Sequence, residues 1–179
     1  MSRAKMPRII ALVVALIAIA TFFLPYISAT KEYAETIETV GLSKAEQEMC
    51  EAAHISKSEM NNMSLFTYTK AYLLAGDLLY RDVTNAYIEG GLFASVGVLA
   101  ILVALCALGK KPILMFIMNA LMGGAFYLIN WDVVDRRIMP DSNRVWGIAH
   151  VLYWPLVAIL AVCAIWLFIG KRQDKKANN

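Results

Sequence analysis

The chain has 179 residues, of which 59% are hydrophobic and 17% are charged, and its mean hydropathy is +0.56. Water-soluble domains of this length carry more charge and less apolar content, so the composition argues against a soluble globular enzyme or binding domain. The formal net charge of +3 is spread over short flanks. It forms no basic patch of the kind that binds nucleic acid, so no nucleic-acid partner is predicted.

Four blocks of the chain contain no Asp, Glu, Lys or Arg: residues 9–29, 91–109, 113–129 and 147–170. Each falls within the about 17 to 25 residues that a helix needs to cross the hydrocarbon of a bilayer. Because lipid offers the backbone no hydrogen-bonding partner, each block is predicted to be a helix. The sequence therefore predicts an all-α protein, a bundle of four transmembrane helices forming one membrane domain over residues 1–179, with the lipid bilayer as its first partner.

The first block could instead belong to a cleaved signal peptide. Three basic residues precede it, and "ISA", ending at Ala29, is a candidate cleavage site. Its apolar core over residues 9–24 is long for a signal peptide, and Ile27 stands where a small residue is preferred. We therefore favour an uncleaved first helix and keep cleavage as the alternative.

Lysine and arginine are divided unevenly between the two sides that four spans define. The side with the two termini and the "GKKP" link holds nine basic residues and one acidic residue, whereas the other side holds eight basic and thirteen acidic residues. Short loops rich in Lys and Arg stay in the cytoplasm. Both termini are therefore predicted to be cytoplasmic, with an acidic outer segment at residues 30–90.

The outer segment carries signals for several helices. Ser43 begins "SKAE", and a similar pattern begins at Ser56. In such capping boxes the Ser side chain and the Glu three residues later satisfy free backbone amides. A third helix is predicted to begin near Ser64 and to end at Gly76. The segment is therefore predicted to be mostly helical, lying along the outer leaflet or packed over the spans.

The stretch "YLINWDVVDRR" closes the third block. Trp131 is typical of a membrane–water interface. The charged residues that follow it are Asp132, Asp135, Arg136 and Arg137. We interpret them as the first residues able to meet water, and the stretch as a membrane boundary rather than a reactive site.

His150 lies one turn inside the fourth block. An ionisable residue within a span is a functional candidate, as a proton sensor or ligand-binding group. The plainer interpretation is a neutral histidine that is bonded to a neighbouring helix through Asn130 or Tyr127.

Asn119 lies near the middle of the third block, and Ala120 and Gly124 follow it as a pair of small residues, with Gly123 beside them. Small residues let helices approach closely, and a buried asparagine can bond across the contact. These residues predict a helix–helix contact, either with another span of the chain or with a second copy.

Motifs for catalysis and metal binding are missing: the sequence has no CxxC, HExxH, phosphate loop or GxSxG. Cys50 has no second cysteine on its own side of the membrane. It is predicted to be a buried free thiol, with an intermolecular bridge as the alternative. No cofactor or metal is predicted, and the protein is predicted not to be an enzyme.

Five stretches share an order along the chain: "FLPYISAT", "MSLFTYTKAY", "GKKPILMFI", "NWDVVDRRIMPDS" and "VWGIAHVLYW". This order resembles small uncharacterised four-span membrane proteins of bacteria, over nearly the whole chain. That group has no established activity, so the resemblance transfers no functional residue. It implies the cytoplasmic membrane of a bacterium, where the sequon at Asn62 would stay unglycosylated.

Three functional hypotheses follow. The leading one is a non-enzymatic accessory or partner-binding protein that acts through its acidic outer segment. The alternative is a small oligomeric channel or transporter. The candidate ligand or path residues are Asn119, Tyr127, Asn130, Asp132, Asp135 and His150. A third hypothesis, an enzyme acting at the outer surface, requires Asp132, Asp135 and His150 to converge on one cleft.

Overall fold

The computed structural model describes residues 5–136, 138–139 and 141–177. These residues form nine α-helices and three β-strands. In chain order the elements are α1 (Lys5–Thr21), β1 (Pro25–Ala29), α2 (Lys31–Thr39), α3 (Lys44–Ala53), α4 (Lys57–Asn61), β2 (Asn62–Ser64), α5 (Leu65–Leu74), α6 (Gly76–Leu79), α7 (Val83–Leu108), α8 (Pro112–Asp135), β3 (Arg144–Trp146) and α9 (Ile148–Ala177). The fold is mostly helical, as predicted, and also contains a small sheet that the sequence analysis does not predict.

Three helices in the described part of the chain, α7, α8 and α9, are long and apolar enough to cross a membrane. α1 packs against α7 and α9, and α8 packs against the same two helices, so the four long helices form a closed ring. The outward sides of the ring are apolar, with exposed side chains such as Leu105 and Val162. Helices that are hydrophobic on all sides are typical of a membrane environment, which agrees with the prediction of a membrane protein.

The prediction of one helix over residues 9–29 is wrong in its second half. α1 ends at Thr21, and the chain becomes extended at Pro25. Proline has no N–H to donate, and its ring disfavours helical backbone in the residue before it, here Leu24. The proline therefore ends the helix before the apolar block ends.

The all-α prediction holds for most of the described chain but misses a small sheet, in which β1 is the central strand of three antiparallel strands. Ile27 is opposite Met63 of β2 on one side and Trp146 of β3 on the other. The two edge strands come from distant parts of the chain. The sheet thus ties the end of α1, the segment before α5 and the segment before α9 together.

The segment between β1 and α7, residues 30–82, contains α2 to α6 and β2, and we call it the cap. Both predicted capping boxes are confirmed, since Ser43 caps α3 and Ser56 caps α4 with the expected reciprocal bonds. The third predicted helix is confirmed as α5, which is capped by Ser64. It ends at Leu74, two residues before the predicted end at Gly76.

The other three long helices extend beyond the predicted apolar blocks. α7 begins at Val83 rather than at residue 91, because the Asp82 side chain accepts a bond from the Thr84 amide at 2.9 Å and caps the helix. α8 continues to Asp135 rather than ending at residue 129, and α9 runs from Ile148 to Ala177 rather than over residues 147–170. The extra turns of α7 and α8 place charged residues inside helices.

Ser43→Ala tests the first capping box. We expect the free energy of local unfolding of α3 to fall by about 1 kcal/mol, a typical value for a lost N-cap. The serine hydroxyl accepts from the Glu46 amide, and the Glu46 carboxylate accepts from the Ser43 amide at 2.9 Å. Hydrogen exchange of the α3 amides measures the change. Ser58→Ala, at an exposed position inside α4, is the control. Equal protection in wild type and Ser43→Ala would contradict the assignment.

Candidate functional site

A buried acid lies in α7 near the cap. Glu89 is only 9% exposed, and its Oε2 atom is buried with no hydrogen-bond donor among the described residues. A buried carboxylate oxygen without a donor is costly because it has lost its water. Gly90, beside it, allows α5 to come close: a Cβ there would lie 2.7 Å from Leu73 Cδ2. The close packing of α5 on α7 keeps water from this part of the helix.

Arg136 connects this acid to α8 and to the cap. Its Nε donates to Asp132 Oδ1 at 2.7 Å, one turn earlier in the chain. Its two terminal nitrogens donate to Glu89 Oε1 and to the Tyr80 hydroxyl. We call these four residues, Tyr80, Glu89, Asp132 and Arg136, the acid–arginine cluster.

The acid–arginine cluster has two carboxyl groups and one guanidinium. Arg136 takes one oxygen of each acid, so each acid keeps a second oxygen that the guanidinium does not bind. Such a cluster can hold the two helices and the cap together, and its remaining oxygens could accept a proton or a small cation. No group of three or more His, Cys, Asp or Glu suited to a metal ion is found in the described residues.

Next to this cluster, Tyr26 of β1 lies at the centre of an aromatic core. The tyrosine is fully buried, and its hydroxyl donates to Asn130 Oδ1 at 3.1 Å. Its ring is in edge contact with Phe126 and Trp146, at 5.9 Å and 5.6 Å between centroids. His150 stacks on Trp146 at 4.0 Å. These contacts join β1, α8, β3 and the start of α9 in one packed unit.

His150 does not make the bond predicted for it. Its Nδ1 is buried without a partner in the described structure, and Asn130 bonds instead to Tyr26 and to the Phe126 carbonyl. Tyr127 is 59% exposed on the outside of α8. The histidine is thus held by ring stacking, because β1 enters between it and the asparagine.

Asn119 is used in a helix contact. It is 2% exposed, and its Nδ2 donates to the Val157 carbonyl of α9 at 3.0 Å. The predicted pair of Ala120 and Gly124 does not make this contact, since both residues are exposed. The close approach occurs at Gly123, where a Cβ would lie 3.0 Å from Val157 Cγ1. The prediction of a helix contact at Asn119 is confirmed within the chain, and the close approach occurs at Gly123, the small residue beside the predicted pair.

The predicted candidates therefore divide into separate places. Asp132 belongs to the acid–arginine cluster and Asp135 is exposed at the end of α8. Asn130 and His150 border Tyr26. No hydrogen bond or ring contact in the described residues joins the histidine to either aspartate, so the three groups that an enzyme would need are not brought together by these contacts.

The interpretation of "YLINWDVVDRR" as a membrane boundary stays a prediction. Arg136 is exposed, as that interpretation expects, and it also pairs with Asp132 and with the buried Glu89. Trp131 is exposed, as predicted for an interface residue. Arg137 lies outside the described residues.

The sequence does not point directly to Glu89 or Tyr80 as site residues. Because the second predicted span contains no charged residue, Glu89 falls in the predicted outer segment. The signal that could have found it is Asp82, an N-cap residue that moves the start of the helix to Val83 and places Glu89 inside it. Tyr80 has no local signal, because its partner Arg136 is 56 residues away.

Two glutamates of the cap have a lowered pKa. Lys70 Nζ lies 2.8 Å from Glu59, and this bond, with the Ser56 amide, lowers the pKa of Glu59. Burial acts to raise the pKa of Glu46, but the bonds from Ser43 and Tyr33 outweigh it and lower the pKa. Both carboxylates are therefore stabilised in the charged form by the fold.

Acid should destabilise the cap. A carboxyl group whose pKa is lower in the folded state stabilises the fold above its unfolded pKa, and this contribution is lost as the pH falls through the folded pKa. We expect the protection of cap amides from hydrogen exchange, after correction for intrinsic rates, to fall as the pH drops below about 4.5, the ordinary value. The double variant Glu46→Gln/Glu59→Gln should reduce the loss of protection at low pH. Glu48→Gln, which removes the acid of an exposed ion pair, should leave the pH dependence of the protection unchanged. A wild-type cap that is equally protected at pH 6 and pH 3.5 would contradict the expectation.

The three cysteines are free and buried, as predicted for Cys50. Burial and the nearby Glu46 and Glu59 raise the pKa of the Cys50 thiol. A raised pKa leaves little of the reactive thiolate at neutral pH. Cys50 therefore has the features of a packed side chain rather than of a nucleophile.

Comparison of the chain with models of known protein families, with curated proteins and with solved structures finds no match. The functional argument therefore rests on the geometry of this chain.

Proposed function

We propose that the protein is a non-enzymatic membrane protein that acts through its cap, as an accessory subunit or partner-binding protein. In this proposal the four long helices form a transmembrane bundle in the cytoplasmic membrane of a bacterium, both termini are cytoplasmic and the cap is outside. The uneven division of basic residues supports the orientation.

α1 and β1 together support a fourth crossing of the membrane, in addition to those of α7, α8 and α9. The 17 residues of α1 are about 25 Å long at 1.5 Å per residue, and β1 extends the chain further toward the cap. Non-helical backbone at membrane depth is tolerated where it is enclosed in protein. β1 meets this condition because it is paired with a strand on each side, and Tyr26 and Ile27 are fully buried.

The observation that carries the proposal is the outward face of α2 and α3. Ile37 is the one buried residue of α2. The exposed acids of the two helices are Glu32, Glu35, Glu38, Glu48 and Glu51. Val40, at the turn between the helices, is 82% exposed. Glu35 and Glu48 form exposed ion pairs with Lys31 and Lys44, and the exposed acids of these helices outnumber the lysines. An exposed apolar residue on such an acidic surface fits a partner that presents an apolar contact within a basic surface.

The sheet holds this face in a fixed position relative to the long helices. The Thr30 amide, at the start of α2, donates to the Asn143 carbonyl at 2.8 Å, next to β3. Tyr33 donates to Glu46 at 2.8 Å and so ties α2 to α3. Because a rigid surface loses little entropy on binding, these bonds support a role in recognition.

A photocrosslinking amino acid at Val40 tests the proposal in intact cells. We expect one specific adduct with a second protein, which should be lost when Glu35 and Glu38 are changed to Lys, since the reversed charges would repel a basic partner. Val162, an exposed residue of α9, is the control position and should give no such adduct. Adducts with this chain alone, or adducts that are unchanged by the charge reversal, would refute partner binding at this face.

The alternative, a small oligomeric channel or transporter, is favoured by one observation. Glu89 places an incompletely bonded carboxylate inside an apolar helix, and such residues often mark ion or proton pathways. Single cysteines at Asn119 and Tyr127, in a chain whose native cysteines are replaced by alanine, test for a hydrated path. A path predicts labelling by membrane-impermeant thiol reagents. Resistance at both positions from both sides, while a cysteine at Val40 is labelled, would exclude it.

A further inference from the structure

The end of the molecule opposite the cap has a basic cleft between α8 and α9. Its volume is about 500 Å³, and it is open to the surroundings. The basic residues that line it are Lys110, Lys111, Lys171, Arg172 and Lys175. No acidic side chain is among the residues that line the cleft, so the five basic side chains give its lining a net positive charge.

An apolar groove of about 280 Å³ continues from this cleft along the same two helices. The residues shared by the cleft and the groove are Pro112, Ile113, Ile117 and Phe168. Beyond them the groove is lined by Phe116, Ala164 and Ile165. From Lys175 to Ala164 is eleven residues of helix, so the cleft and the groove together are about 16 Å long.

From this arrangement we propose that the cleft and groove form a binding site for one anionic phospholipid. The phosphate and its headgroup occupy the basic cleft, and an acyl chain lies in the groove between α8 and α9. Basic pockets between transmembrane helices recognise acidic lipid headgroups. The start of α8 adds favourable charge, because Pro112 is its first residue and no side chain caps its free amides.

The charge and the shape of the site specify the ligand class together. A free phosphate would satisfy the basic cleft and leave the groove empty. A zwitterionic lipid would fill the groove, but the cationic amine of its headgroup would lie among five basic side chains. An anionic diacyl lipid such as phosphatidylglycerol satisfies both parts.

The basic residues have different roles. Lys171 Nζ donates to the Lys110 carbonyl at 2.9 Å and so joins α9 to the link before α8. Arg172 lies over the Phe168 ring at 5.1 Å, where the cleft meets the groove. Lys111, the residue before α8, and Lys175 of α9 also line the cleft. We therefore leave Lys171 unchanged and test Lys111, Arg172 and Lys175.

Native mass spectrometry of the detergent-purified full chain, titrated with phosphatidylglycerol or phosphatidylcholine, tests the site. We expect one tightly bound phosphatidylglycerol and much weaker binding of phosphatidylcholine. In Lys111→Gln/Arg172→Gln/Lys175→Gln the phosphatidylglycerol affinity should fall on the order of a hundredfold, because each basic residue near an anionic lipid contributes about fivefold. The control Lys31→Gln/Lys44→Gln/Lys57→Gln makes the same charge change on the cap and should keep the bound lipid.

A separate substitution tests the contribution of the apolar groove. Ile117→Trp should fill it and weaken phosphatidylglycerol binding at least tenfold, whereas Ile159→Trp, at an exposed position of α9 outside the groove, should not. Equal binding of the two lipids, or full binding by the triple variant, would overturn the proposal. Equal binding of glycerol 3-phosphate and phosphatidylglycerol would also overturn it, since the groove would then contribute nothing.

Discussion

Gly147→Ala should be one of the most destabilising small substitutions in the chain. A Cβ at this position would lie 2.2 Å from the Pro25 carbonyl oxygen and 2.6 Å from its carbon. Both are backbone atoms, so no side-chain rotation can relieve the overlap. The Gly147 amide also donates to the Tyr26 carbonyl at 2.8 Å, a bond that the displaced strand would lose. We expect a loss of about 4 kcal/mol in the free energy of unfolding, at the upper end for point substitutions.

The measurement is unfolding of the detergent-purified protein, followed by tryptophan fluorescence. Gly124→Ala is the matched control, because nothing lies within 4 Å of a Cβ at that position. Alanine is also the better helix former by about 1 kcal/mol, so the control should be neutral or stabilising. If the two variants unfolded alike, the close contact between β1 and the start of α9 would be incorrect.

Arg136→Met should have the second large effect. The guanidinium is the cation that binds both Glu89 and Asp132 in the described structure, and the Glu89 side chain is 11% exposed. Removing one partner of a buried ion pair leaves an uncompensated charge, which typically costs 3 to 5 kcal/mol. Because Arg136 is itself partly exposed, we expect about 3 kcal/mol, measured by the same unfolding experiment.

Arg81→Met controls for the loss of an exposed arginine near the same end of the molecule and should change little. Adding Glu89→Gln to Arg136→Met should recover part of the loss, because it removes the uncompensated acid. If the changes in the free energy of unfolding caused by Arg136→Met and by Glu89→Gln were additive in the double variant, the two side chains would not interact.

Several features follow from the sequence by local rules. Continuous apolar blocks predict α7, α8 and α9, because lipid requires the backbone to bond within its own segment. The starts of α3, α4 and α5 follow from Ser43, Ser56 and Ser64, since capping depends on residues only three apart. The free Cys50 thiol and the helix contact at Asn119 were also predicted correctly.

Other features depend on residues far apart in the chain. The segment "PYISA" has the composition of a helix end, and it becomes a strand because Met63 and Trp146 provide strands on its two sides. No window of sequence around Pro25 contains those partners. Tyr26 of β1 contacts both Asn130 and His150, and the predicted bond between those two side chains is absent.

The acid–arginine cluster shows the same division. The sequence by itself determined that helices of this length and apolarity form, and that charge is concentrated at their ends. Only the tertiary structure decided that Glu89, Asp132, Arg136 and Tyr80 meet, because three separate elements must pack before a buried carboxylate finds its arginine. Helix formation depends on neighbours within a few residues, whereas the pairing of buried charges depends on how the helices and the cap pack together.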